Sequence, residues 1–195
     1  MSELQGRIEG RLSERLYGQP IINNVARGLY VECMVELALQ ERDPAWRLTD
    51  AWGGWDLEHC ETLARLEVKQ SAALQIWKET VKRSPTFGIP PRKWWWDNAS
   101  SVSVETRPQR LADVYVFAWH PESGRSRADH REPDQWEFYV VAERDLSQQP
   151  LTASISLGPL RRLAPPCGYN ELACKVTDTV SGLPSLKAQT SSEED

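Results

Sequence analysis

The chain has 195 residues, 40% hydrophobic and 26% charged, with a net charge of −5. This is the composition of one soluble globular domain, long enough to bury a core without disulfide or metal staples. No run of 18 apolar residues occurs, so a membrane-spanning helix is excluded, and the charged stretch 1–20 reads as neither a signal peptide nor an anchor. Cys33, Cys60, Cys167 and Cys174 form no C-x-x-C pair, which argues against a disulfide framework or zinc cluster and for a cytoplasmic location.

Residues 3–16 read as a short polar helix that needs a partner surface. The clearest helix is 22–39. Val25, Leu29, Cys33 and Leu37 recur there at helical spacing, Ile22, Ala26 and Tyr30 form a second line, and Asn23 or Asn24 can cap the start. Glu32 and Glu36 share one helix face, with Glu32 at the edge of the apolar stripe and Glu36 a solvated partner. Three extended runs follow, 45–51, 55–58 and 64–70, the last two joined at hairpin length. The span 71–82 predicts a helix with a basic end at Lys78, Lys82 and Arg83, where the helix dipole favours positive charge. The span 84–109 reads as a long irregular insert holding Pro85, Pro90, Pro91 and Pro108 and the run Arg92-Lys93-Trp94-Trp95-Trp96. Loops longer than about 15 residues are often functional.

Residues 111–119 are apolar on both faces, the mark of a central strand covered on both sides. A polar loop (120–134), a strand (135–142), a short strand (154–157) and a closing helix (169–179) follow, and 181–195 reads as a disordered acidic tail. One domain over 1–180 is expected. Its order of helix, three-strand meander, helix, strand, strand, helix predicts an α/β fold with a mixed sheet flanked by helices.

Charge is unevenly spread. Residues 65–96 hold Arg65, Lys69, Lys78, Lys82, Arg83, Arg92 and Lys93 against Glu67 and Glu79, seven against two, so +5 within a chain of net −5. That asymmetry predicts a basic face on an acidic body.

The chain has six lysines, and one follows an acid at two residues' distance: Glu67-Val68-Lys69. Strand alternation points Leu66 and Val68 to one face and Arg65, Glu67 and Lys69 to the other. Charged groups facing a covered sheet are costly unless paired or metal-bound. Asp56 lies in the preceding extended run, across a short hairpin, so its carboxylate can approach Glu67. Two adjacent carboxylates repel, and a divalent cation relieves them.

Asp56, ten residues, then Glu67-Val68-Lys69, together with an acid-bearing helix Gly28-Leu29-Tyr30-Val31-Glu32 upstream, resembles the signature of the PD-(D/E)xK nuclease superfamily. The order of elements resembles its restriction-endonuclease-like αβββαβ core over about residues 20–145, with an extra C-terminal strand and helix. The residue before Asp56 is Trp55 where the motif's name has proline. The resemblance implies that Asp56 and Glu67 hold Mg²⁺ (or Mn²⁺), with the Val68 carbonyl as third ligand. Lys69 would orient or activate the attacking water, and Glu32 would contact a metal-bound water or second ion. Gln70 and Ser71 would touch the scissile phosphate.

The expected function is a Mg²⁺-dependent endonuclease cutting DNA in a restriction, defence or repair setting, with a nuclease acting on RNA a reading that the sequence does not separate from it. The alternative is a catalytically inactive nucleic-acid-binding or scaffold subunit with the same fold, and a protein partner or second copy is also expected. Lys82, Arg83, Arg92 and Lys93 would meet phosphates and Trp94 would meet bases or a groove wall. His59, His120 and His130 read as surface residues, and Asp113 as a cap or turn residue.

Overall fold

A computed structural model of the chain describes residues 2–49, 53–77, 81–82, 84–97, 102–146 and 151–183. Helix α1 (Glu3–Tyr17) is capped by Ser2, whose side chain accepts from the Gln5 amide, yet none of its residues is buried. Helix α2 (Asn24–Gln40) starts at Asn23, whose side chain accepts from Ala26 N at 3.0 Å. Strands β1 (Trp46–Leu48), β2 (Leu57–His59) and β3 (Arg65–Ala72) form the expected antiparallel meander. Its second turn is tight enough to set Leu63 at φ 61°, a left-handed conformation uncommon for leucine.

The main sheet has the order β1-β2-β3-β7-β8, with β7 (Val114–His120) parallel to β3 and antiparallel to β8 (Glu137–Ala142). All seven residues of β7 are buried. Leu66, Val68, Val116 and Ala118 pack on one face against Val31, Met34 and Val35 of α2 and Leu172 and Val176 of α4 (Tyr169–Ser181). Tyr115, Phe117, Trp119 and Tyr139 pack on the other face against Phe87, Ile89 and Leu160. The fold is therefore α/β, a mixed sheet flanked by helices. Leu160 belongs to α3 (Leu157–Leu163), a short helix that its Gly158-Pro159 start hides from sequence reading.

The connection from β3 to β7 differs from expectation. Among the described residues of 71–82 no helix forms: Ser71 and Ala72 complete β3, and 73–77 are irregular, with a bend at Ala73, a bridge at Gln75 and a turn at Ile76 and Trp77. Seven residues of β3 pair with seven of β7, and that ladder overrides helical spacing. Burial agrees, since Ala72, Ala73 and Leu74 are consecutively buried while Ile76 and Trp77 face out. The insert is also regular where it was expected to be irregular. Strand β4 (Thr86–Gly88) pairs with β9 (Ser154–Ser156), and β5 (Arg92–Asp97) pairs with β6 (Val102–Gln109) as a bulged hairpin. Trp94-Trp95-Trp96 and Val102 and Val104 are strong strand formers, so the prolines are confined to its margins.

Three further expectations are corrected. The stripe Val25, Leu29, Cys33 and Leu37 faces solvent, and α2 buries Ala26, Arg27, Val31, Met34, Val35, Ala38 and Leu39 instead. Glu36 is no solvated partner, because its carboxylate accepts from Leu48 N at 3.0 Å and docks β1 onto α2. His59, His120 and His130 are all buried: His59 bonds Asp43 at 2.8 Å, and His120 and His130 stack edge to face at 4.8 Å beside Trp136. Asp113 does cap, accepting from Arg65 N at 2.8 Å at the start of the β3–β7 ladder. Ser181 closes α4, and 184–195 of the expected tail lie outside the described residues.

Candidate active site

The parallel ladder fixes which way each residue of β3 turns. Arg65 O accepts from Asp113 on the β7 side, whereas Leu66 O accepts from Asp56 N at 3.0 Å on the β2 side. Even-numbered backbone groups therefore face β2. Strand pairing with β2 stops at Leu66, and the next amide on that edge, Val68 N–H, donates to Asp56 Oδ2 at 2.6 Å. The Val68 carbonyl points from the same open edge, beside the Asp56 carboxylate.

Glu67 projects from the sheet face and is buried, with its Oε1 contacting Lys69 Nζ and, at 3.1 Å, Arg92 Nη2. Arg92 is tied further by a 3.3 Å bond to Gly53 O. Burial pushes the Asp56 carboxyl up to about 7, Glu67 beside it adds to the rise, and Lys69 and the Val68 amide oppose it. Glu32 of α2 lies within electrostatic reach of all three. Burial raises its pKa, Lys69 lowers it and Glu67 raises it. Asp56, Glu67, Lys69 and Glu32 are thus brought together at one strand edge.

The other candidates scatter. Gln70 turns to the α2 side, accepting from Arg27 Nε at 2.7 Å and donating to Asn24. Ser71 is buried, and Lys82 Nζ lies 3.4 Å from its hydroxyl. Arg92, expected to meet phosphate, is partly exposed and pairs with Glu67. Lys93 and Trp94 are exposed on β5, and Arg83 lies outside the described residues. Trp95 points opposite to Trp94 and packs over Gly54, where an added Cβ would sit 3.3 Å from the indole. The expected basic face is also partly compensated: Arg65 lies over the Trp55 ring at 3.9 Å, while Lys69 and Arg92 share Glu67.

Two neighbours escaped sequence reading. Tyr115 pairs with Glu67 in the ladder, and burial, with Glu67 next, raises its phenol above the usual range. Alternation within the strand expected at 111–119 was the signal for it. Arg27, inside a helix, carried no signal.

Among the described residues no three His, Cys, Asp or Glu side chains form a metal cage. The donor set still fits a hard ion that keeps most of its waters. It offers one buried acid, Glu67, one half-buried acid, Asp56, and one edge carbonyl, and among the described residues Asp56 has no ion-pair partner. No family model, no curated protein and no solved structure matches the chain.

Proposed function

We propose that the chain is a metal-dependent phosphodiesterase that cuts DNA, with Mg²⁺ or Mn²⁺ as its ion. The observation that carries this reading is Asp56. It is a half-buried acid held up to about 7, beside the buried Glu67 and a lysine at an unpaired strand edge. Strongly perturbed acids clustered this way are a functional-site signature.

In this reading Asp56, Glu67 and the Val68 carbonyl would hold the ion, which would supply positive charge at the phosphate and lower the pKa of water. The Val68 amide fixes the Asp56 rotamer. Lys69, in contact with Glu67, orients the attacking water and offsets negative charge that builds on the phosphate. Glu32 accepts a hydrogen bond from a water at the rim. Exposed Lys93 and Trp94 on β5 meet the DNA backbone and bases.

One observation favours a second reading, a nucleic-acid-binding or scaffold subunit without turnover: Arg92 and Lys69 already neutralise Glu67. Incubation with supercoiled plasmid, linear duplex, single-stranded DNA and RNA under Mg²⁺, Mn²⁺ and EDTA separates the two. The expected result is DNA cutting that EDTA and Asp56→Asn abolish. Tight DNA binding with no cutting under either metal would select the scaffold.

A further inference from the structure

Beyond Lys69 the open edge of β3 runs into a cavity of about 460 Å³ between the start of α2 and the end of β3, lined by Asn24, Arg27, Gln70, Gln75, Trp77 and Lys82 among others. That volume is within the range of small-ligand sites, about 300–1,000 Å³.

Its wall holds a buried cation whose charge no carboxylate among the described residues answers. Arg27 is 1% exposed. Its Nε donates to Gln70 at 2.7 Å, its Nη1 to Gln75 at 3.2 Å and its Nη2 to Asn24 at 2.7 Å. All three acceptors are neutral amide oxygens, and among the described residues no carboxylate lies within ion-pair distance of the guanidinium. Amide oxygens satisfy donors but do not cancel a charge, and a buried unpaired cation is costly. A guanidinium has five N–H donors, so two remain beyond these three bonds. Burial alone draws the Arg27 pKa down to about 10. The amides are locked as well, since Gln70 also donates to Asn24 and Gln75 Nε2 donates to Ala72 O at 2.9 Å. Lys82 brings a second cation to the cavity, and Trp77, 57% exposed, offers an indole face at its lip.

We propose that this cavity is a nucleotide subsite, taking one nucleotide of the cut strand beside the scissile phosphate, its phosphate toward Arg27 and Lys82 and its base against Trp77. The assignment rests on the phosphodiesterase reading for its place next to the cut. The charge selects an anion, and indole stacking accepts any base because every base has a π-face. Gln70 thereby acts by holding Arg27 in this wall, while the scissile phosphate lies on the Lys69 side.

The test is a titration of the ¹⁵N-labelled full chain in EDTA with 5′-deoxyadenosine monophosphate, deoxyadenosine and inorganic phosphate, followed at the Arg27 Nε–H, the Gln70 and Gln75 amides and the Trp77 indole N–H. The nucleotide should move all four sets, with at least roughly tenfold tighter binding than either fragment. Trp77→Ala, at an exposed position, should weaken it about tenfold while leaving the remaining spectrum in place. No movement at millimolar nucleotide overturns the proposal, and so does equal affinity for inorganic phosphate, which would leave a plain anion site. Because EDTA removes the metal, the titration is independent of cutting. Plasmid cutting with a silent cavity sinks this inference alone. Nucleotide binding with no cutting under any metal sinks the phosphodiesterase reading and keeps the cavity as a nucleotide site.

Discussion

Lys69 contacts Glu67 where the β2-side edge of β3 is unpaired, so removing its ammonium has two separable consequences. If the chain is the phosphodiesterase proposed above, ground-state binding draws on other cations and should change little, whereas charge on the reacting phosphate would lose a cation beside it. Lys69→Ala should therefore lower the cutting rate by about 10²–10⁴-fold and leave DNA affinity, measured with Ca²⁺ in place of Mg²⁺, within a few-fold of the parent. Equal cutting by the variant would make Lys69 a structural cation. The acid-x-lysine spacing and the hairpin distance to Asp56 were legible because strand period and hairpin length are local properties. Arg92 was not, since its bond to Glu67 joins residues 25 apart across an insert whose path the sequence does not fix. The histidines were misread for a related reason. Polar loops hide no signal that His130 Nδ1 will accept from Ile22 N, 108 residues away.

At the scale of elements, α1 stands out as a helix held at its root. Arg131 Nη1 bonds Tyr17 O at 3.1 Å, His130 N bonds Pro20 O at 2.7 Å, and Tyr17 packs on Tyr30 at 5.6 Å. Every described residue before Leu16 is exposed, including Leu4, Ile8 and Leu12, which recur at helical spacing in solvent. Removing residues 1–14 should thus shift Tm by less than about 3 °C, because a loss of about 1 kcal/mol moves a domain of this size by about 2–4 °C. A drop above about 10 °C in a thermal melt would mean that α1 packs on a second copy in solution. Helical period located α1, α2 and α4 because it spans three or more turns. It failed to orient α2, where two apolar lines compete and the longer one, Val25 to Leu37, lost. Period also failed at 71–82, where pairing to a strand 48 positions away, Leu66 against Val114, decided the conformation.

Across the whole molecule, buried titratable groups pull stability in opposite directions with pH. Burial, then Arg27 and His120 nearby, hold His130 down to about 3, and burial lowers His120 as well. An unfolded histidine takes up its proton near pH 6.5, so the stability from His130 is present above that and is lost as pH falls toward about 3, by about 1.4 kcal/mol per pH unit, and the lowered His120 adds a loss of the same sign below pH 6.5. Asp56 runs the other way. Its folded value of about 7 exceeds the unfolded value near 3.9, so between those values the folded chain binds more protons and gains as pH falls. Asp56→Asn removes that gain. Urea unfolding in EDTA at pH 7, 6 and 5 should show the variant losing stability faster than the parent by up to about 1.4 kcal/mol per pH unit. Parallel pH profiles would mean that Asp56 is ionised at neutral pH in the folded chain.

The parallel pairing of β3 with β7 also governs how the chain reaches this state. The meander β1-β2-β3 closes through turns of a few residues and can form early, but β7 joins only after the insert carrying β4, β5 and β6 has been traversed. Non-local parallel closure of this kind slows folding, because chain entropy is spent before the ladder forms. Until β7 docks, both edges of β3 beyond Leu66 are bare, including the segment that carries Glu67 and Lys69. The same stretch of backbone is therefore an open template for association during synthesis, and replacing the β5–β6 hairpin with a short linker should speed refolding in stopped-flow and reduce aggregation from denaturant.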